Sequence, residues 1–306
     1  MMELGLFLMP TDEGPDPVEL ARHAETRGLD SIFVGDHTHV PASRLSPFPS
    51  PPYGELPREY YRFWDPFVAL AAIGTATTRV KLGTSVSLVV ARDPIVMAKQ
   101  VATLDYLSGG RVILGVGAGW NREEMLNHGT DPTTRMTVLR ERVEAMRRIW
   151  EEELAEYHGR FVEFDPVFAW PKPVQRPLPV LVGGNGPTAL DRVLAYGDGW
   201  IPGAQKDLDG LERRIAELRL RAAELGRPRP LVALIYARPE RLDRYGAMGV
   251  DHCIFAIDPN APTLAAVEEI DRIAEVTGRR HSMPESPAVG FQAADTRSGL
   301  SGKGEH

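Results

Sequence analysis

The sequence predicts an α/β fold of the (β/α)8, or TIM-barrel, type, with an insertion after the fourth helix and a long loop after the second strand. Three observations carry that prediction. Short apolar runs alternate with amphipathic ones from end to end, and the alternation repeats eight times. The apolar runs are rich in Val, Ile and Leu without a clean polar alternation, as in parallel strands whose outer face is covered. The chain has 306 residues, 43% of them hydrophobic and 25% charged, which suits one large closed domain. Eight strand–helix units at this length favour a closed barrel over an open doubly wound sheet.

The elements follow in order. The first strand is read at 4–9, before the helix "DPVELARHAETRG", in which Asp16 can cap and Pro17 suits the first helical position. The second strand is 31–36; a long Pro-, Tyr- and Phe-rich loop and the helix "DPFVALAAIGTAT" come after it. The third strand is 80–88 with a helix over 94–107, and the fourth is 111–117 with a helix over 134–152. A polar-aromatic segment, "EYHGRFVEFDP", interrupts as a short hairpin or an extended insertion. The fifth strand, 179–184, leads to a helix from Pro187, and the sixth, 199–203, to a helix over 208–225 that stops at Gly226. The seventh, 231–236, is followed by a short helix to Met248, and the eighth, 252–257, by a helix over 263–277. Residues 280–306 are polar and aperiodic and read as a disordered tail, leaving 1–279 as the barrel domain.

Composition narrows the function. A net charge of −7 without a long basic run argues against nucleic acid and anionic membranes as partners. The single Cys253 rules out an internal disulfide and a thiolate-rich metal site, and it fits a reducing cytosol. The start, "MMELGLFLMPTDEG", has no basic segment and no cleavage site of a signal peptide, and no uncharged apolar run would cross a bilayer. A cytoplasmic protein is expected.

The stretch "LSGGRVILGVGAGWNREEM" poses the main choice. A dinucleotide-binding sheet would carry G-x-G-x-x-G on its first strand, with an acid about 20 residues on. Here Gly115, Gly117 and Gly119 lie on the fourth strand at the wrong spacing, so the stretch is one rung of the barrel. Barrel sites sit at the C-terminal strand ends. Those ends are rich in Gly, small polar groups and imidazoles and poor in clustered acids, which suits an organic cofactor. "LVGGNGPTAL" offers Gly183, Gly184 and Gly186 before a helix start, either a phosphate loop or an ordinary tight turn. Lys206 could add a charge there or stay solvated. "GDHTHVP" carries His37 and His39; a metal pair lacks further ligands at later strand ends. The other reading is an acid/base near a cofactor ring, with Asp36 fixing the His37 tautomer or bonding a neighbouring backbone. The loop 44–64 brings Tyr53, Tyr60, Tyr61, Phe63 and Trp64 either to a substrate pocket or to a rim or subunit contact.

Four motifs together, "FVGDH", "RVKLGTSV", "RDPIVMAKQVATLDYLSGGRVILGVGAGWNREEM" and "PVLVGGNGPTALDRVLAYGDGWIP", resemble the bacterial luciferase-like family of flavin and deazaflavin barrels. The resemblance spans essentially residues 2–278 and is strongest to the branch that uses coenzyme F420, notably its uncharacterised oxidoreductases. It implies a non-prolyl cis peptide at Ser85–Val86 behind the deazaflavin ring. It also implies cofactor contacts from Gly117, Gly119, Asn121, Val182, Gly183, Gly184, Asn185, Gly186 and Gly203. His37, with Asp36, is the implied catalytic pair, while Trp120, Tyr60, Trp64 and Lys206 are expected around the substrate, with no metal. The chain departs from the family's sugar-phosphate and alcohol dehydrogenases at two places. Trp120 stands where they carry an acid, and Pro41 where they carry a Trp. That points to reduction of a flat, apolar small molecule by reduced F420. The alternatives are an FMN-dependent monooxygenase served by a separate flavin reductase, a cofactor-binding protein without turnover, and a metal-dependent hydrolase. Family members often pair through helices beside strands two and three, so a homodimer is expected.

Overall fold

The computed structural model describes residues 2–49, 55–203 and 206–279. Its elements are β1 (Glu3–Leu8), α1 (Pro17–Thr26), β2 (Ser31–Val34), α2 (Pro66–Ala76), β3 (Lys81–Thr84), β4 (Ser87–Leu88), α3 (Pro94–Ser108) and β5 (Val112–Gly117). There follow α4 (Arg122–Asn127), α5 (Arg135–Glu151), β6 (Ala155–His158), β7 (Glu163–Val167), β8 (Val180–Gly183), α6 (Ala189–Tyr196), β9 (Gly199–Ile201) and α7 (Leu208–Glu224). The last are β10 (Leu231–Ile235), α8 (Leu242–Met248), β11 (His252–Ala256) and α9 (Thr263–Val276).

Eight parallel strands close into a ring in the order β1, β2, β3, β5, β8, β9, β10, β11, and β11 returns to β1. Closure depends on β3 pairing with β5, Leu82 opposite Val112. The inward side chains Phe7, Phe33, Ile113, Leu181, Ile201, Ala233, Ile235 and Ile254 fill the barrel as one cluster. Their outward neighbours pack under the helices, with Leu6, Ile32, Leu82, Leu114 and Trp200 almost fully buried. The expected barrel is therefore the observed one, because a parallel strand flanked by helices must bury both of its faces.

Local chemistry starts the helices on the early strands' outer side. Asp16, Asp65 and Asp93 each precede a proline and each accept a backbone N–H from the first turn. The carboxylate satisfies a free donor, and proline costs nothing where no partner carbonyl exists. The "EYHGRFVEFDP" segment is an antiparallel hairpin, β6 against β7, inserted between α5 and β8. Strand bounds move by one or two residues from the sequence reading. Two differences are larger. The third strand is broken into β3 and β4, and a separate short helix, α4, follows the glycine bend. Tyr53 and the tail 280–306 lie outside the described residues.

Candidate active site

Two cavities open on the barrel axis. The larger, about 500 Å³, lies at the N-terminal strand ends and is lined by Glu3, Lys81, Asp251 and His252 among others. Its charges are already matched: Lys81 sits 2.5 Å from Glu3, and Arg229 2.8 Å from Asp251. His252 Nε2 lies 2.7 Å from the buried Ser31 Oγ, and burial pushes the imidazole pKa down to about 3, so the ring is neutral. Size is a poor guide here, since barrel chemistry is built at the opposite end.

The cavity at the C-terminal ends, about 290 Å³, gathers His37, Phe48, Tyr60, Phe63, Val86, Trp120, Gly183, Gly184, Asn185, Gly203 and Tyr236 around it. Its floor is the break between β3 and β4, where the Ser85–Val86 peptide is cis. The Val86 side chain occupies room that glycines leave open. A Cβ at Gly117 would come within 2.4 Å of a Val86 methyl, and one at Gly183 within 2.7 Å of the other. The loop beside this floor is held from behind. Arg214 donates to the carbonyls of Asn185 (2.9 Å) and Gly186 (3.0 Å), Trp200 Nε1 donates to that of Gly184 (2.8 Å), and Gly203 N–H donates to Asn185 Oδ1 (3.0 Å). A floor without projecting polar groups, next to an anchored glycine loop, fits a flat ring with a phosphorylated tail.

An aromatic wall lines the same cavity. The His37 ring is 5.4 Å from Tyr60, 5.9 Å from Phe63 and 5.8 Å from Trp120, and Phe48 closes the group 5.0 Å from Tyr60 and 5.7 Å from Trp120. Arg44 lies over Trp120 from outside, 5.6 Å from its ring centre. Burial raises the pKa of both Tyr60 and Tyr236, so both phenols stay protonated and keep an O–H to donate.

His37 is the one imidazole that lines this pocket, and its partner is Glu124. His37 Nδ1 and Glu124 Oε2 are 2.7 Å apart, and both residues are buried. The other Glu124 oxygen accepts from Thr38 N–H at 3.1 Å and from Thr38 Oγ1 at 3.3 Å. The carboxylate thus holds Nδ1 and leaves Nε2 as the nitrogen available to the pocket. Glu124 is placed by Asn121, which caps α4 and accepts the Glu124 N–H at 3.3 Å.

Several expectations are corrected by this geometry. Asp36 does not set the His37 tautomer. It is a buried carboxylate bound by Arg92 (Nη2 2.8 Å, Nε 3.0 Å), Ser87 Oγ (2.9 Å) and Leu88 N–H (2.9 Å), so only the backbone-bonding alternative is met. The Asp36 side chain is fully buried among these partners, while the His37 ring packs in the aromatic group. Asn121 is a helix cap away from the pocket wall, and Val182 is fully buried in the outer core. Gly117 works from behind Val86, and Gly186 offers its carbonyl to Arg214 rather than lining the cavity. Trp64 is 39% exposed and, like the exposed Lys206, does not line this cavity. Ser85, Val86, Gly119, Gly183, Gly184, Asn185, Gly203, Trp120 and Tyr60 do line it. The sequence reading missed Glu124, Arg92 and Phe48. Only Glu124 had a local signal, an acid three residues after the Asn121 cap, as in a capping box.

Among the described residues no group of three or more His, Cys, Asp or Glu is arranged to hold a metal ion, and no helix is long and apolar enough to cross a membrane.

A family model described as luciferase-like monooxygenase matches residues 2–240. An uncharacterised protein of Mycobacterium tuberculosis (strain ATCC 25618 / H37Rv) is 41% identical over 272 residues, covering 88% of this chain and 96% of its own. The F420-dependent glucose-6-phosphate dehydrogenase of Kineococcus radiotolerans is 34% identical over 194 residues, 62% of this chain and 53% of that one. An F420-dependent secondary alcohol dehydrogenase, solved with an F420–acetone adduct, shares the fold at a TM-score of 0.73 and 19% identity, over 90% of this chain and 99% of that one. The match over residues 2–240 and the closed parallel barrel together mean that the chain belongs to the luciferase-like monooxygenase family, as one of its oxidoreductase enzymes.

Proposed function

We propose that the protein is an F420-dependent oxidoreductase that reduces an uncharged, flat small organic molecule with reduced F420. The observation that carries this reading is the wall beside the Val86 floor. It consists of His37, Phe48, Tyr60, Phe63 and Trp120, and the one acid at the cavity, Asp36, is neutralised by Arg92. At position 120 this chain carries an indole, so the wall presents a flat apolar face to the substrate.

The residues fit the cofactor. Val86 would support the ring from behind, while Gly183, Gly184 and Asn185 would take its phosphate-bearing tail. When bound, reduced F420 supplies the hydride. The aromatic wall orients the acceptor and excludes water from one face. His37, its Nδ1 held by Glu124, gives the proton from Nε2 to the substrate atom that does not receive the hydride. The ring is left neutral with its remaining proton on Nδ1, shared with Glu124.

A second reading, an FMN-dependent monooxygenase with a separate reductase, is favoured by the description of the matching family model. A paired fluorescence titration with F420 and FMN at fixed ionic strength separates the two. The expected result is tight F420 binding with FMN at least tenfold weaker. The reverse order would establish the monooxygenase reading, and binding of neither would leave a barrel with another ligand.

We also propose a cytoplasmic homodimer. Its support is a run of exposed apolar side chains on α2 and α3, Val68, Ile95, Val96, Tyr106 and Leu107, of which Val68 is 69% exposed. Sedimentation velocity of wild type is expected to show a dimer and of Val96→Asp a monomer. A wild-type monomer at micromolar concentration would reject the proposal.

A further inference from the structure

Tyr236 stands out for its backbone. It has φ of +57°, the one positive value for a non-glycine residue among the described residues. A bulky side chain is rare in this region because its Cβ crowds the adjacent carbonyl. The consequence is visible in the direction of three consecutive residues. Ile235 points inward with the barrel-filling cluster, and Ala237 packs with the outer core while its N–H donates to Ile254. A regular strand would alternate and send Tyr236 outward. Instead Tyr236 lines the C-terminal cavity beside Ile235, so two successive side chains face the same mouth.

The ring is anchored and the hydroxyl is not. Tyr236 meets Phe7 edge-on, with centres 5.6 Å apart and planes at 69°. Among the described residues the phenol makes no hydrogen bond. The residue remains 42% exposed, at the opening of the cavity. A strained backbone that swings a partnerless donor over a pocket is the pattern expected where function rather than stability selects the conformation. Among the described residues no unpaired carboxylate, Lys or Arg lines the same cavity, and the Tyr236 hydroxyl is a neutral donor at its mouth.

Building on the F420 reading, we propose that Tyr236 is a specificity-determining residue whose O–H donates to an oxygen of the substrate. The substrate class is then an uncharged conjugated carbonyl compound, its flat body against Trp120 and Phe48 and its oxygen towards Tyr236. His37 delivers the proton, so Tyr236 holds the acceptor in register and is not itself consumed.

The test compares acetophenone with ethylbenzene, which has the same shape without the oxygen, by tryptophan fluorescence. It uses protein loaded with oxidised F420, where no hydride is available. Wild type is expected to bind acetophenone about tenfold more tightly than ethylbenzene, and Tyr236→Phe to lose most of that ratio at unchanged melting temperature. Tyr236→Gly is expected to melt several degrees above Tyr236→Ala, since glycine alone relieves the positive φ. Failure of wild type to bind acetophenone, an unchanged ratio in Tyr236→Phe, or a Tyr236→Gly variant no more stable than Tyr236→Ala would each overturn the proposal. The same titration run without cofactor keeps the outcome separate from the F420 reading. A ratio lost in Tyr236→Phe there supports the residue's role even if F420 does not bind.

Discussion

Replacing His37 by alanine is expected to lower the rate of reduction by reduced F420 about 10²- to 10⁴-fold, while the dissociation constant of F420 stays within a few-fold of wild type. The range is what a positioned proton donor contributes. The split between rate and binding follows from the geometry. His37 belongs to the aromatic group while the floor is the Val86 side chain, so its loss removes the proton without removing that floor. Glu124→Gln gives a milder version of the same experiment. The amide keeps the shape and can still accept from Thr38, but it no longer stabilises charge on the imidazole 2.7 Å away. A loss smaller than for His37→Ala is expected, as read by stopped-flow. A fall of less than tenfold for His37→Ala would remove the imidazole from the chemistry. A steady-state alcohol oxidation in wild type that His37→Ala abolishes would reverse the proposed direction.

Arg92→Met is expected to destabilise the protein by about 3–5 kcal/mol, the usual cost of stripping the partner from a buried charge. The Asp36 side chain is fully buried, and its two oxygens receive the guanidinium at 2.8 and 3.0 Å. The same guanidinium reaches Asp65 at 3.0 Å, the residue that caps α2. Losing it leaves one carboxylate without its counter-charge under the pocket floor and frees another at a helix start. Ser87 Oγ and the Leu88 N–H still donate to Asp36, so the loss is partial rather than total. Urea unfolding checks it through the midpoint. Asp36→Asn combined with Arg92→Met removes the charge as well as its partner and is expected to recover a large part of the loss. Equal stability of Arg92→Met and wild type would mean that this pair contributes nothing net.

These two experiments touch two neighbouring parts of one site. His37 reports on the chemistry and Arg92 on the platform beneath it, so their effects are expected to stay in different observables. The function of the site depends on that separation. Asp36 with Arg92 ties β4 to the start of α2 beside the Val86 floor.

What the sequence determined by itself is what local chemistry determines. Eight apolar runs separated by amphipathic ones require eight covered strands, and Asp-Pro pairs begin three of the helices. The hairpin insertion, the His37 and Trp120 positions and the glycine loop were all legible, because each depends on spacing along the chain. What only the tertiary structure decided depends on residues far apart in sequence. Asp36 is next to His37 in the chain, yet the carboxylate on the imidazole comes from Glu124, 87 residues away, and the cation on Asp36 comes from Arg92, 56 residues away. Closing β3 onto β5 brings these strand ends together and gives Asp36 and His37 different partners. The inward turn of Tyr236 likewise has no signature in composition or periodicity. It is a departure from strand alternation, set by the backbone at the end of β10, and it shows only when the barrel is closed around it.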